Sequence, residues 1–518
     1  MIEKVTLILD PASASDMEKV KSTAASTLKI PIQDMREVRI CRKAIDARHR
    51  DIKVNLTVEI AVGENEKLSC VTPFQPLNVQ RSREVIIIGS GPAGLFAALR
   101  LIELGLKPVI LERGKDVTER KKDIARISRE HIVNPESNYC FGEGGAGTFS
   151  DGKLYTRSHK RGNNRRVLEL LYLHGADESV LYDAHPHIGS DKLPGIIKNI
   201  RETILGAGGD ICFNSKVTDL LIGDNKIKGV AIYDGRKFIS PFVILATGHS
   251  ARDIYDILYR ENIEIEQKSF AAGVRVEHPQ ELIDRIQYHG NARGDFLPAA
   301  SYNLVKQVEG RGVYSFCMCP GGYIIPSATS QEEVVVNGMS PSGRNSPFAN
   351  SGIVVEIRPD DLGKFSLYGR KAGLEFQREF ERMAWEEGGR TQKAPAQRLT
   401  DFVDGRFSSA LPEVSYLPGV TSSPLHEWLP ESISRRLRQG FILFDRMMKG
   451  FLTNEAVVVG VESRTSSPVR IIRNENTMEH IRVFGLYPCG EGAGYAGGIV
   501  SSAIDGMRAA EAIHSAIR

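Results

Sequence analysis

Apolar residues near position 85 follow first a strand pattern and then a helix pattern. Residues 85–88 are a short apolar run typical of a buried strand, and residues 92–105 are rich in alanine and leucine and end at a glycine, which favours a helix. The next apolar run, "KPVILE", ends in Glu112. The order predicts a β-α-β unit with a glycine-rich turn after its first strand.

The glycines of that turn carry specific chemistry. Gly89 allows a tight turn, Gly91 allows the backbone to approach a pyrophosphate, and Gly94 allows close packing of helix on strand. The helix that starts at Pro92 and Ala93 offers free N–H groups to phosphates, and Glu112 stands where a ribose-binding acid belongs. The sequence therefore predicts a dinucleotide site.

Two further segments fit the same G-x-G-x-x-G spacing without the same context. They begin at Gly142, in "FGEGGAGTFSDGK", and at Gly492. No clear apolar strand precedes the first, and no acid-ended strand follows the helix after the second. Neither predicts a second nucleotide site.

Composition narrows the class of protein. The 518 residues have a net charge of +3, which argues against a nucleic-acid partner, and seven cysteines, an odd number that does not suggest a disulfide framework. No apolar run approaches the length of a membrane span. We expect a cytoplasmic protein of undetermined oligomeric state, with a small-molecule substrate.

Three separated pieces, "GSGPAG" with Glu112, "VILATG" and "GLYPCGEGAGYAGG", together resemble the glutathione-reductase-like FAD-binding fold. The stretches "FGEGGAGTFSDGKL", "HPHIGSDKL", "CMCPGG", "PAQRLTDF" and "ESRTSSPVRI" are similar to a family of uncharacterised bacterial FAD-dependent dehydrogenases, also described as NAD(P)/FAD-dependent oxidoreductases. The resemblance extends over most of the chain after Arg81. It implies FAD as the cofactor.

The resemblance also implies a domain plan. We expect an α/β protein with a discontinuous Rossmann-like FAD-binding domain, an inserted α+β substrate or cap domain and a small N-terminal α+β module, in which Ser13 or Ser15 caps a helix. The expected boundaries are 1–71 for the module, 72–84 for a linker, 85–254 and 441–518 for the FAD-binding domain, and 255–440 for the insertion.

Cofactor contacts are implied position by position. Besides the first glycine turn, the resemblance places Arg113 near the ribose, Val217 near adenine, and the "ATG" and "GE" turns beside the pyrophosphate and ribityl chain. The last helix and the glycine-rich loop then face the flavin ring. The residues concerned are Thr247, Gly248, Gly490, Glu491, Gly497, Gly498 and Ile499, and in the loop Gly145, Gly147, Thr148, Ser150 and Asp151.

Candidates for chemistry have structural alternatives of comparable weight. Cys317 and Cys319 form a redox pair or are small buried residues, and two thiols alone do not make a zinc site, so we expect no metal. His187 with Asp191 supplies a proton or belongs to an ordinary loop. Arg464, Thr465 and Ser466 bind an anionic substrate group or form a capped turn.

Two functional hypotheses follow. The first is an FAD-dependent oxidoreductase that transfers hydride to or from an organic substrate, with NAD(P)H as a transient donor. The alternative is a flavin-carrying RNA-modifying or RNA-binding protein that uses the basic run at residues 157–166. A solvated loop is the simpler interpretation of that run.

Overall fold

The computed structural model describes residues 1–63, 68, 71–155, 162–290 and 293–518, which form a mixed α/β protein. The helices are α1 (Pro11–Ala14), α2 (Met17–Leu28), α3 (Pro92–Glu103), α4 (Val117–Glu130), α5 (Asn164–Leu173), α6 (Leu193–Gly206), α7 (Arg252–Arg260), α8 (Gln280–Gln287), α9 (Ala372–Glu387), α10 (Leu399–Asp404), α11 (Leu425–Trp428), α12 (Glu431–Met447) and α13 (Ile499–Ile517). Among these described helices, none has the length and apolar content to cross a membrane.

The strands fall into a small N-terminal sheet, a parallel sheet, a large mixed sheet and three smaller pairs or meanders. They are β1 (Ile2–Leu9), β2 (Met35–Asp46), β3 (Lys53–Val62), β4 (Glu84–Ile88), β5 (Lys107–Leu111), β6 (Asp210–Cys212), β7 (Val217–Gly223), β8 (Lys226–Ile232), β9 (Lys237–Ile239), β10 (Val243–Leu245), β11 (Ile265–Gln267), β12 (Phe270–Pro279), β13 (Val305–Val308), β14 (Arg311–Cys319), β15 (Tyr323–Pro326), β16 (Val336–Met339), β17 (Phe348–Ile357), β18 (Ala394–Arg398), β19 (Val420–Ser422), β20 (Val457–Glu462), β21 (Val469–Ile471) and β22 (Leu486–Pro488).

The N-terminal sheet is antiparallel with the order β1-β3-β2, and α2 packs on it. Val20 and Ala24 of α2 are buried against alternate residues of β3, as expected for a sheet with one covered face. The β-α-β-β order agrees with the sequence pattern.

The caps of the first two helices differ from the sequence prediction. Asp16 accepts hydrogen bonds from the N–H groups of Glu18 and Lys19, and Asp10 accepts one from Ser13. The prediction of a Ser13 or Ser15 cap was wrong, because Asp10 and Asp16 occupy the two N-cap positions and their carboxylates accept the free N–H groups.

The parallel sheet has the order β22-β10-β4-β5-β6. One face, which includes Val85 and Ile87, packs against α3, α5, α6 and α13. The other face, which includes Ile86 and Ile88, packs against α7 and the antiparallel meander β7-β8-β9. Both faces are covered, which explains why these strands are short continuous apolar runs.

The last strand and helix return to the first β-α-β unit. β22 pairs with β10, which pairs with β4, and α13 crosses α3 so closely that a Cβ on Gly506 would come within 2.0 Å of the carbonyl oxygen of Ala93. Asp505 of α13 also accepts a hydrogen bond from the N–H of Gly490, at 2.8 Å. β22 and α13 therefore join the sheet and the helix layer of the first β-α-β unit.

The large sheet has the order β13-β14-β17-β12-β20-β18-β19, antiparallel except for the β18–β19 pair. Helices α9 and α12 contribute to its core. β20 pairs with β12 and β18, so residues 457–462 lie in this sheet, whereas the sequence boundary at residue 440 had assigned them to the other domain. A short apolar strand gives no local sign of which sheet it joins.

Candidate cofactor site

A cavity lies where the carboxyl ends of β4, β10 and β22 face the large sheet, the position at which open α/β sheets bind ligands. Its lining brings together many of the residues that the sequence proposed for the cofactor. They are Gly89, Gly91, Pro92, Ala93, Glu112, Arg113, Gly145, Gly147, Ser150, Val217, Thr247, Gly248, Gly490, Glu491, Gly497, Gly498 and Ile499.

Glycine serves a different structural purpose at each of the three glycine positions of the first turn. Gly89 has φ of +101°, and a Cβ there would lie 2.5 Å from the carbonyl oxygen of Ala246. A Cβ on Gly94 would lie 2.0 Å from the carbonyl oxygen of Gly89, so that residue packs helix on strand outside the cavity lining. Among the atoms that the structure describes, a Cβ on Gly91 would meet only the Cα of Gly145, at 3.9 Å. A Cβ at position 91 therefore has room, and glycine there keeps the cavity open.

Two helices begin at the cavity with glycine at the N-cap. Gly91 precedes α3 and Gly498 precedes α13, and neither helix has a side-chain cap. A Cβ on Gly497 or Gly498 would meet no atom of the described residues within 4 Å. The first N–H groups of both helices are thus available to an anionic ligand, with the positive ends of two helix dipoles behind them.

Glu112 is buried and holds the first turn to the glycine-rich loop. Its Oε2 accepts hydrogen bonds from the N–H of Ser90 at 2.9 Å and from the Ser90 hydroxyl at 2.7 Å, and its Oε1 accepts from the N–H groups of Gly114 and Gly142 at 2.9 and 3.0 Å. Contact with a ribose remains a prediction, and the structure adds a supporting role for this carboxylate.

Arg113 closes one end of the cavity. Its guanidinium lies 4.2 Å from the ring centroid of Phe141 and donates to Glu136 at 2.7 Å and to Asp253 at 2.8 Å. Val217, the first residue of β7, lines the same end. This end combines an aromatic and cationic surface with charges that are already paired, which suits an uncharged base and ribose better than a phosphate.

The glycine-rich loop contacts both helix starts. The N–H of Gly144 donates to the carbonyl of Ser90 at 2.9 Å, and Gly145 lies against Gly91. A Cβ on Gly147 would lie 3.4 Å from Cγ1 of Ile499 at the start of α13. The sequence predicts contact with the flavin ring alone, whereas this placement also puts the loop beside the turn proposed for the pyrophosphate.

Arg120 organises the loop from behind. Its guanidinium is buried and donates to the backbone carbonyls of Asn138, Tyr139 and Glu143, and burial lowers its pKa to about 10. Thr148 donates to the carbonyl of Glu143 at 2.7 Å and accepts from Arg120 at 3.2 Å. Thr148 therefore belongs to the support of the loop and is not part of the cavity lining.

Asp151, His187 and Asp191 also lie outside the lining. Asp151 pairs with Arg344 at 2.7 Å. Asp191 accepts from the N–H and hydroxyl of Ser342 at 2.7 and 2.8 Å, and Nε2 of His187 lies 3.1 Å from the Ser342 carbonyl. Burial lowers the pKa of His187, with Arg344 adding to the effect. The contacts of this group fix a loop, and a catalytic role for His187 and Asp191 stays a prediction.

Arg464 and Thr465 reach the cavity with their polar groups already paired. Arg464 donates to Glu381 and Glu333 at 2.7 and 2.8 Å and is buried. The Thr465 hydroxyl donates to the carbonyl of Ala271 at 2.8 Å, while Ser466 lies outside the lining. Arg464 is thus part of an ion-pair cluster, and binding of an anionic substrate group by Arg464, Thr465 and Ser466 stays a prediction.

β14 of the large sheet contributes Phe316 and Cys317 to the lining, and β16, which pairs with β15, contributes Asn337. Cys319 lies buried behind Cys317. Sequence analysis missed Phe316 and Asn337, as well as His249, Asp253, Phe141 and Lys216. His249 directly follows the "ATG" turn, which is the one local signal available. Within the described ranges, no group of three His, Cys, Asp or Glu residues is arranged to hold a metal ion.

The basic run is described only in part. Residues 157–161 of that run lie outside the described residues. Arg166, at its end, donates to Glu103 of α3 at 2.6 Å, so that this residue is part of the body of the protein. No contact of the described residues bears on RNA binding.

Family models match three parts of the chain. A model described as "FAD-dependent protein, C-terminal domain-like" matches residues 269–465, an FAD binding domain matches residues 82–138, and a domain of unknown function (DUF8436) matches residues 1–61. The FAD binding domain covers the first glycine turn and Glu112. The other large match coincides with the large mixed sheet, from β12 to β20.

Solved structures give weaker likenesses. A geranylgeranyl bacteriochlorophyll reductase-like protein from Thermoplasma acidophilum is 14% identical, covering 84% of this chain and 79% of that one, with a TM-score of 0.34. L-proline dehydrogenase from P. horikoshii is 12% identical, covering 85% and 95%, with a TM-score of 0.35.

A relative from Clostridium beijerinckii, described as an uncharacterized protein, is much more similar. It is 41% identical over 531 residues, which cover 99% of this chain and 98% of the relative. The chain therefore belongs to the same family as this protein, a family of FAD-dependent proteins.

Proposed function

We propose that the protein is an oxidoreductase that holds FAD non-covalently in the cavity and exchanges electrons with a small organic substrate. The observation that carries the proposal is the convergence of two glycine-capped helix starts, those of α3 and α13, on one cavity beside the FAD binding domain match. When bound, FAD supplies reversible hydride-transfer chemistry.

The residues present fit FAD on three counts. Gly91, Gly497 and Gly498 leave open the space that Cβ atoms would fill. The first N–H groups of both helices have no partner within their own helix and can donate to a pyrophosphate and to a negatively charged ring edge. Among the described residues, Nδ1 of His249 is buried without a hydrogen-bond partner and lies 3.6 Å from Glu491, so a polar ligand would satisfy it.

Each part of the cavity then has a role. The start of α3 binds the pyrophosphate, the Arg113 and Val217 end takes the adenosine, and the start of α13 with the glycine-rich loop takes the flavin ring. In this assignment the FAD-binding domain is the discontinuous Rossmann-like domain expected from the sequence. Its second part begins after β20, because β20 pairs in the large sheet.

Purification with and without added FAD tests the proposal. We expect a yellow protein with one FAD per chain, released by denaturation, whose visible absorbance is lost on anaerobic reduction and restored by an electron acceptor. Anaerobic mixing with NADH and with NADPH identifies whether a nicotinamide is the donor. A folded protein that takes up no FAD contradicts the proposal.

No observation on the described residues favours the RNA-modifying or RNA-binding alternative. It predicts RNA binding that weakens steeply with salt. Absence of binding to single-stranded RNA at low salt would exclude it.

A further inference from the structure

Lys153 lies beside two cysteines at the edge of the cavity. Its Nζ is 3.9 Å from Sγ of Cys317 and 3.7 Å from Sγ of Cys319. Oδ2 of Asp151 is 3.1 Å from the same Nζ and forms an ion pair with the ammonium group. The glycine-rich loop that lines the cavity thus ends in a cation placed against two thiols.

The backbone at Cys317 is distorted in a way that brings it to the cavity. Cys317 has φ of +46°, which is rare for a residue other than glycine, and the pairing of β14 with β17 shifts register between Phe316 and Cys319. Such bulges redirect side chains next to functional sites, and strained residues concentrate there. Cys317 consequently lines the cavity, while Cys319 is buried behind it.

The surroundings of the pair favour one thiolate. Hydrogen bonding from the Cys319 thiol, with the charges of Lys153 and Arg275, lowers the pKa of Cys317 well below its usual range, against the effect of burial. Hydrogen bonding to Cys317 and burial raise the pKa of Cys319 well above its usual range. One ionised and one protonated sulfur is the arrangement in which a nucleophilic thiolate stands next to a resolving thiol.

We propose that Cys317 and Cys319 are a redox-active pair that forms a disulfide and exchanges an electron pair with the cofactor in the cavity, with Lys153 as the residue that positions and stabilises the Cys317 thiolate. This inference rests on the proposed function, because FAD is the electron acceptor. When the S–S bond forms, the Cys319 S–H bond breaks, and the pair loses two electrons and the one remaining thiol proton. FAD takes up the electron pair and a proton.

A chemical test of the disulfide needs no cofactor. The tryptic peptide of residues 312–344 contains Cys317 and Cys319 and no other cysteine. FAD-free, full-length protein is treated with diamide, then with iodoacetamide, and digested. We expect this peptide to be two hydrogen atoms lighter and unalkylated, and dithiothreitol to reverse both changes. A doubly alkylated peptide after oxidation would overturn the proposal.

Cys212→Ser is the matched control for that experiment, because Cys212 lies in β6, outside the cavity lining. It should leave the oxidised peptide unchanged. Cys319→Ser should leave Cys317 alkylated under the same treatment.

Lys153→Met tests the positioning role through a pH profile. In the Cys319→Ser background, where only Cys317 is followed, loss of the ammonium group should raise the pH at which alkylation becomes fast by about one unit, or about tenfold in rate at neutral pH. Lys121→Met, at an exposed position of α4, is the control and should leave the profile unchanged. An unshifted profile in Lys153→Met would refute the role of Lys153.

Reductive titration of the FAD-bound protein separates this inference from the proposed function. FAD content is measured first. The oxidised wild type should take up two electron pairs per bound FAD before reduction is complete, and Cys317→Ser should take up one. One pair in the wild type with FAD fully bound overturns the redox pair alone, whereas absence of bound FAD contradicts the proposed function and leaves the peptide experiment to decide on the disulfide.

Discussion

Arg464 and Glu381 form a buried ion pair with 2.7 Å between Nη2 and Oε2. Arg252 donates to the same carboxylate at 2.8 Å. Burial works against the charge on Glu381, but the two guanidinium groups prevail and lower its pKa to about 2. The pair links the segment after β20 to α9 and fixes one wall of the cavity.

We expect Arg464→Met to act on stability. Removal of one partner of a buried ion pair leaves an uncompensated charge and costs about 3–5 kcal/mol of unfolding free energy. Chemical denaturation measures the loss. Arg378→Met is the control, because the Arg378 side chain is exposed on α9 and substitutions at exposed positions stay within about 0.5 kcal/mol. Unchanged stability with weakened binding of an anionic substrate would favour the original substrate-binding hypothesis.

Gly91→Glu should abolish FAD binding and leave the fold intact. The Cβ has room, since its nearest neighbour is at 3.9 Å, but the side chain and its charge enter the space proposed for the pyrophosphate. Bound FAD is measured by absorbance and stability by thermal unfolding without FAD. Gly195→Glu, at an exposed position in α6 where a Cβ meets nothing within 4 Å, should retain FAD. Stoichiometric FAD in Gly91→Glu would contradict the assignment.

Glu277 should make stability depend on pH. Burial raises its pKa to about 7, although Ser415 donates to it and Arg275 is near. Because the folded pKa exceeds the unfolded value of about 4.3, its contribution is present in full below about pH 4 and is lost as the pH rises towards 7, by about 3 kcal/mol. Glu277→Gln removes this titration, so its stability relative to the wild type should increase between about pH 5 and pH 8 in urea unfolding.

Glu281→Gln, at an exposed glutamate of α8, provides the comparison for that experiment. It should follow the wild type at every pH. Parallel curves for Glu277→Gln and the wild type would show that Glu277 does not titrate in this range.

The local sequence pattern was sufficient to predict the first β-α-β unit. The strand, the glycines at 89, 91 and 94, the helix and Glu112 are contiguous, and each constraint on them acts over a few residues. The structure places Gly89, Gly91 and Glu112 at the cavity and explains Gly94 by close packing. The sequence pattern also held for the N-terminal β-α-β-β order.

Long-range partners explain what the sequence could not show. The sequence could not show that Arg464 is paired, because its partners Glu381 and Glu333 are more than 80 residues away. The contact of Thr148 with the buried Arg120 likewise joins residues 28 positions apart, which no local pattern indicates. Lys153 lies at the end of the glycine-rich stretch, and its contact with Cys317 depends on a strand more than 160 residues later.

The return of β22 and α13 to the parallel sheet sets the order in which the cavity can be completed during synthesis. Residues 84–111 leave the ribosome early, yet one edge of their sheet and the second helix start at the cavity come from residues 486–517. The edge of β10 therefore lacks its partner β22, and the face of α3 lacks its partner α13, while the strands of the large sheet are synthesised. Cofactor capture becomes a late event, coupled to the arrival of the final helix.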